Sequence, residues 1–136
     1  MAQTALITGA SSGLGLEFSN IFARRGCDLV LVARNEEKLL AQQKELSQKY
    51  GVRVEVLVCD MSKERAGDVL FAETSARGIA VDILVNNAGF GDFGAFAHCD
   101  AQKQQDMIAV NIAALTQLTR CFLEPMVCRG CGKILN

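Results

Sequence analysis

The segment Thr8-Gly9-Ala10-Ser11-Ser12-Gly13-Leu14-Gly15 follows an apolar run that begins a few residues from the N-terminus. Strand, glycine turn and helix start are read there in immediate succession. Three glycines let the backbone turn sharply, approach a ligand closely and pack the helix against its strand. The first-turn N–H groups of that helix would face outward, where the helix dipole favours an anion such as a pyrophosphate. A glycine-rich turn that binds nothing has the same local pattern, so the other residues decide between the two.

Beyond the turn, strand-like and helix-like segments alternate, which predicts an α/β fold with a parallel sheet. The first strand is expected at about Thr4 to Thr8. The second, Asp28 to Ala33, is a continuous apolar run suited to cover on both faces. Between them a helix would turn Leu14, Phe18, Ile21 and Phe22 inward and end at Arg24, Arg25 and Gly26. Asn35 is placed to cap a second helix to about Lys49, closed by Gly51. In the segment Val52 to Cys59, Val52, Val54, Val56 and Val58 alternate with charges, which predicts an edge strand. Ser62 is expected to cap a third helix that Gly78 closes. A fourth strand, Val81 to Asn86, leads into a glycine-rich loop. A long helix follows from about Asp100 to Met126, apolar around much of its circumference and expected to be buried on more than one side. Lys133 to Asn136 reads as the start of a fifth strand. With no repeat and no linker, this is one domain, expected to be incomplete at its C-terminal end.

The chain has 136 residues, half of them hydrophobic, with 14 basic and 15 acidic side chains. That near-neutral balance gives no electrostatic case for nucleic acid or an anionic membrane surface as partner. The longest apolar stretch, Gly78 to Val85, is broken by Asp82 and too short to span a bilayer. No secretory pattern precedes the first strand, so the six cysteines are expected as reduced thiols in a cytoplasmic protein. Cys128-x-x-Cys131 has the spacing of half a zinc site, but no second pair exists and the single histidine, His98, is far away in sequence. No metal is expected.

Four elements stand in order along the chain: Thr8-Gly9-x3-Gly13-x-Gly15, Asp60 after the third strand, Asn86-Asn87-Ala88-Gly89 after the fourth, and Asn111 within the long helix. With these the chain resembles the N-terminal part of the short-chain dehydrogenase/reductase family over essentially its whole length. The glycine spacing departs from the G-x-G-x-x-G of most dinucleotide dehydrogenases in the way this family does. The resemblance implies a Rossmann-type, doubly wound parallel sheet in strand order 3-2-1-4-5, with residues 1–136 forming a dinucleotide-binding domain. It also implies an oxidoreductase that interconverts a small-molecule carbonyl and alcohol by hydride transfer, homo-oligomeric in its complete form. By position, Gly9, Ser11, Ser12, Gly13, Leu14 and Gly15 would serve the pyrophosphate and adenosine. Asp60 and Met61 would bracket the adenine, and Asn87, Ala88 and Gly89 would lie along the cofactor, while Asn86 braces the fourth strand. Asn111 would support a bound water in a proton relay and is the one catalytic candidate. Plainer roles remain open: Asp60 as a helix cap, Gly89 as a turn residue, Asn111 as a solvent-facing amide.

The end of the second strand bears on the choice of dinucleotide. Members that bind NAD place a carboxylate there for the ribose hydroxyls, and this chain has Ala33 followed by Arg34. A planar guanidinium suits a phosphate, and a charge-assisted hydrogen bond contributes about 1.5–3 kcal/mol. NADP(H) is therefore expected over NAD, although Ser12 stands where a second basic residue is usual and Arg34 could be a surface residue ahead of a helix.

The family's proton donor is a tyrosine with a lysine four residues later, accompanied by a serine. The single tyrosine, Tyr50, is followed at that distance by Val54 and precedes the third strand. The Ser–Tyr–Lys set is expected beyond Asn136, leaving this chain to bind cofactor without turnover. The alternative is a catalytically silent nucleotide-binding or regulatory protein. An open side on the fourth strand is expected to make the isolated chain poorly soluble or partly ordered. Phe90, Phe93 and Phe96 suggest an apolar entrance.

Overall fold

Alternation of side chains along parallel strands sends two apolar sets to opposite faces of a sheet, and both need cover. The computed structural model, which describes residues 1–136, provides it with helices on each side. The strands are β1 (Thr4–Thr8), β2 (Asp28–Ala33), β3 (Val54–Val58), β4 (Ile83–Val85) and β5 (Lys133–Leu135). The helices are α1 (Gly13–Arg24), α2 (Glu36–Tyr50), α3 (Ala66–Ala76), α4 (Ala101–Ile108) and α5 (Leu115–Arg129), the last two joined by a π-helical segment, Ala109–Ala114. All strand pairs are parallel, in the order β3-β2-β1-β4-β5. This is the Rossmann-type, doubly wound sheet expected from the resemblance. On one face Ala5, Ile7, Leu29 and Leu31 pack with Leu39 and Leu46 of α2. On the other, Leu6, Val30, Val32 and Leu84 meet Leu70 of α3 and Val110, Leu118 and Phe122 of the long helix. No helix is long and apolar enough to cross a membrane.

The helix ends follow the sequence in most places. Asn35 Oδ1 accepts from Lys38 N at 3.0 Å, and Gly51 closes α2 at φ 69°. Gly26 ends α1 in the same left-handed conformation, its N–H donating to Ala23 O.

Four expectations are corrected. The buried stripe of α1 is Gly15, Ser19 and Ala23, with Phe18 and Phe22 only flanking it and Leu14 70% exposed. The helix runs so near the sheet that only small side chains fit between them. Along β3 the valine alternation fails at its end: Val58 is 52% exposed, whereas Leu57 is buried on the opposite face against the α3 side. Ser62 does not cap α3. Its N–H and hydroxyl both donate to Asp60 Oδ1 in a local turn, and α3 starts at Ala66 behind Arg65, which is left-handed at φ 58°. The long helix buries one stripe, Val110, Ala114, Leu118, Phe122 and Met126, while Ile108, Ile112, Leu123 and Val127 lie exposed.

Candidate functional site

The carboxyl ends of β1, β2, β3 and β4 open onto one cleft of about 970 Å³. Side-by-side parallel strands make such a crevice where their crossovers diverge to opposite faces of the sheet, here between β1 and β4. Its walls bring together Gly9, Ser11, Ser12, Gly13 and Leu14 after β1, Arg34 after β2, Asp60 and Met61 after β3, and Asn87, Ala88 and Gly89 after β4. Of the residues expected to bind cofactor, Gly15 alone is off the cleft wall.

Gly15 acts by packing. A Cβ there would collide with Gly9 O and stand 2.6 Å from Asn87 Nδ2. Gly9 is left-handed at φ 64°, and a Cβ on it would lie 3.0 Å from the same Asn87 nitrogen and 3.1 Å from Ala88 Cα. The two loops therefore touch through bare backbone. Gly13, at φ 54°, has nothing within 4 Å of its Cβ position, so this part of the turn is open. Ser12 has extended backbone and makes no side-chain cap, leaving its hydroxyl and the first-turn donors of α1 unclaimed by one another.

Thr8, at the end of β1, joins the loops from beneath. Its buried hydroxyl donates to Val85 O at 3.3 Å and accepts from Asn87 N at 3.1 Å and Ala88 N at 2.9 Å. Asn87 Nδ2 in turn donates to Thr8 O and Gly9 O, at 3.1 and 3.3 Å. Asn87 thus borders the cleft while its amide nitrogen holds the glycine turn in place. Asn86 points the other way, donating to Thr119 Oγ1 of α5 and to Asn136 Oδ1. That is the bracing position the sequence suggested.

Asp60 is shaped by its own turn. Ser62 donates to Oδ1 twice, from Oγ at 2.7 Å and from the main chain at 2.9 Å. The hydroxyl first, then the main-chain N–H, holds the Asp60 carboxyl below the usual carboxylate range. Asp60 lines the cleft, and its Oδ2 has no hydrogen-bond partner within the chain. The neighbouring Cys59 thiol is pushed up by burial, which disfavours a reactive thiolate.

Asn111 lies in the π-helical segment and outside the cleft wall. Its Oδ1 accepts from Phe90 N at 3.1 Å and its Nδ2 donates to Phe90 O at 2.8 Å. The side chain is therefore committed to the main chain of one residue in the loop after β4. Tyr50 ends α2, packed beside the core with Lys49 Nζ 5.0 Å from its ring centroid, and takes no part in the cleft.

Several cleft residues escaped sequence reasoning: Asn35, Lys38, Ser62, Asp106 and Val110. Val110 and Asp106 stand one turn apart, so the position before Asn111 was the available signal for both. Lys38 follows Arg34 by four residues, a spacing that becomes informative once the first turn of α2 is known to face the cleft.

The profile of the family described as short chain dehydrogenase matches residues 3–136. A very-long-chain 3-oxoacyl-CoA reductase of Laccaria bicolor is 36% identical over 134 residues, which cover 97% of this chain and 40% of the relative. Among solved structures, a short-chain dehydrogenase from Sphingobium yanoikuyae in complex with NADPH superposes with a TM-score of 0.90 at 39% identity, over 97% of this chain and 51% of that one. L-sorbose reductase from Gluconobacter frateurii, complexed with NADPH and L-sorbose, gives 0.90 at 34% identity, covering 98% and 51%. The chain thus spans about half the length of the relatives it matches. Glycine turn, strand order and full-length match converge: this chain belongs to the short-chain dehydrogenase family, whose members are oxidoreductases.

Proposed function

We propose that these residues form the nucleotide-holding half of an NADP(H)-dependent oxidoreductase that interconverts a carbonyl and an alcohol of a small molecule. When bound, the dinucleotide supplies or accepts the hydride. The chain's own residues hold and orient it. Bare backbone at Gly9 and Gly13, with the uncapped first turn of α1, fits a pyrophosphate that must approach main-chain donors closely. The free Oδ2 of Asp60 fits the exocyclic amine of an adenine resting on Met61. Ala88 and Gly89 offer a flat wall along the rest of the molecule, and Leu14 covers it from the α1 side. Asn111 is read as a positioning residue that fixes the main chain of Phe90, and in the family's whole enzymes as a support for a water in the proton relay.

The observation that carries the choice of NADP(H) is Arg34 on the cleft wall after β2, with Ala33 where a carboxylate would hold a second ribose hydroxyl. The neighbour structures solved with NADPH support the same choice. Titration calorimetry with NADPH and with NADH tests it. NADPH is expected to bind more tightly, and Arg34→Ala should weaken NADPH binding by roughly ten- to a hundredfold with NADH unchanged. Equal affinities for the two, or an Arg34→Ala variant that binds NADPH as before, would overturn the assignment.

Reduction of a carbonyl also needs a proton donor beside its oxygen. The single tyrosine is remote from the cleft, so none of these residues is assigned that role. The alternative of a silent nucleotide-binding protein needs no such donor. The exposed stripe of Ile108, Ile112, Leu123 and Val127 supports a homo-oligomeric complete protein that buries this face.

A further inference from the structure

We infer that Lys38 is a second phosphate-reading cation, acting beside Arg34 on the ribose phosphate of the dinucleotide. The inference rests on the NADP(H) reading above. After β2 the cleft wall runs Ala33, Arg34, Asn35 and then Lys38. Glu36 and Glu37 lie between them in sequence but stand off the wall. The cap explains this selection. Asn35 Oδ1 takes the Lys38 N–H at 3.0 Å and so fixes the first turn of α2, which directs position 38 toward the cleft and positions 36 and 37 toward solvent.

These two are the cations on the cleft wall, and neither is paired there. Arg53, Arg65, Arg77, Lys103, Arg120 and Arg129 each have a carboxylate within 4.0 Å, whereas Arg34 and Lys38 have none. The acidic neighbours Glu36 and Glu37 do not engage them. Two positive charges, neither in an ion pair, therefore lie on a cleft wall whose other charged residues are Asp60 and Asp106.

The chemistry gives each cation a separate task. A phosphate monoester carries roughly −1.5 to −2 charge near neutral pH and three acceptor oxygens. A guanidinium fork occupies two oxygens and compensates one charge. An ammonium on a flexible stem can reach the third oxygen and the remaining charge. A ribose hydroxyl carries neither, so Lys38 should contribute to NADPH binding and be silent toward NADH.

The test is calorimetric titration of the 136-residue chain with NADPH and NADH, using Lys38→Gln, Lys38→Arg and Arg34→Ala. Lys38→Gln is expected to weaken NADPH binding about three- to tenfold at low salt, less than Arg34→Ala, because an exposed ammonium is screened. The deficit should shrink as salt is raised, and Lys38→Arg should restore most of the affinity. NADH binding should not move. If Lys38→Gln binds NADPH as the unchanged chain does while Arg34→Ala is weakened, Lys38 has no such role and the NADP(H) reading stands. Equal loss for NADPH and NADH would mean a disturbed α2 and would also overturn it. A parent chain without preference for NADPH removes the underlying reading itself.

Discussion

Two loops leave the carboxyl ends of the adjacent strands β1 and β4, and they are built in opposite ways. The turn after β1 is held by backbone. Gly9 and Gly15 close on each other and on Asn87 with no room for a methyl group, and Thr8 anchors the turn from below. The loop after β4 begins in the same lock, at Asn87 and Ala88, and is tied again where Asn111 takes the N–H and the carbonyl of Phe90 and where Asp92 accepts from Lys103 and Gln104 of α4. From Gly91 to His98 every residue is exposed, and Phe93 is 102% accessible. The cleft wall includes the first stretch and the start of the second as far as Phe90, and none of the exposed residues beyond it. The glycine turn, which faces the nucleotide on the proposed reading, is preformed, and the stretch from Gly91 to His98 has little packing of its own.

The contrast breaks most sharply at Gly15. Gly15→Ala would improve helix propensity by about 1 kcal/mol, but the added carbon meets Gly9 O and Asn87 Nδ2. Overpacking against backbone wins, and a net loss of about 3 kcal/mol is expected in urea unfolding, with NADPH binding lost as well. A gain in stability would show that the two loops are not in contact. Next is Thr8→Val, which keeps the shape and deletes the hydroxyl, leaving Ala88 N without its acceptor and Asn87 N with Val85 O alone. A loss of about 2–3 kcal/mol is expected from unfolding curves, and Thr8→Ser should recover most of it. Smallest is the exposed loop: Phe93→Ser with Phe96→Ser should leave stability within about 0.5 kcal/mol in the same assay. A larger loss would mean that the aromatic rings pack on something, and the contrast between the loops would narrow.

Periodicity and turn chemistry made the sheet legible from sequence. β1 and β2 fall on the expected residues, because buried parallel strands between glycine turns leave few alternatives. The family's motifs supplied the strand order, which local pattern cannot provide. Failures came where tertiary distance overrode a local preference. Leu14 and Ile21 had the helical spacing for a core face on α1, but the fully buried stripe is Gly15, Ser19 and Ala23, with Phe18 and Phe22 half-buried against the core beside it. Ser62 had a good capping side chain, and Asp60, two residues earlier, claimed it. Around the cleft, residues that follow strands were readable, since each lies a fixed step beyond a recognisable element. Lys38, Asp106 and Val110 lie on helices, and their contribution depends on which helical face turns to the crevice. Spacing from Arg34 or Asn111 becomes informative only once that face is known.

The π-helical segment Ala109–Ala114 adds a consequence of its own. Bonding i→i+5 in place of i→i+4 inserts one surplus residue into an otherwise regular rod, and each residue of an α-helix accounts for about 100° of rotation. The surplus acts as a phase shifter between the two helical halves. Upstream of it Asp106 can look into the crevice; downstream, Leu118, Phe122 and Met126 stay pointed at the sheet. A perfectly regular helix of the same composition would have to give up one of those alignments.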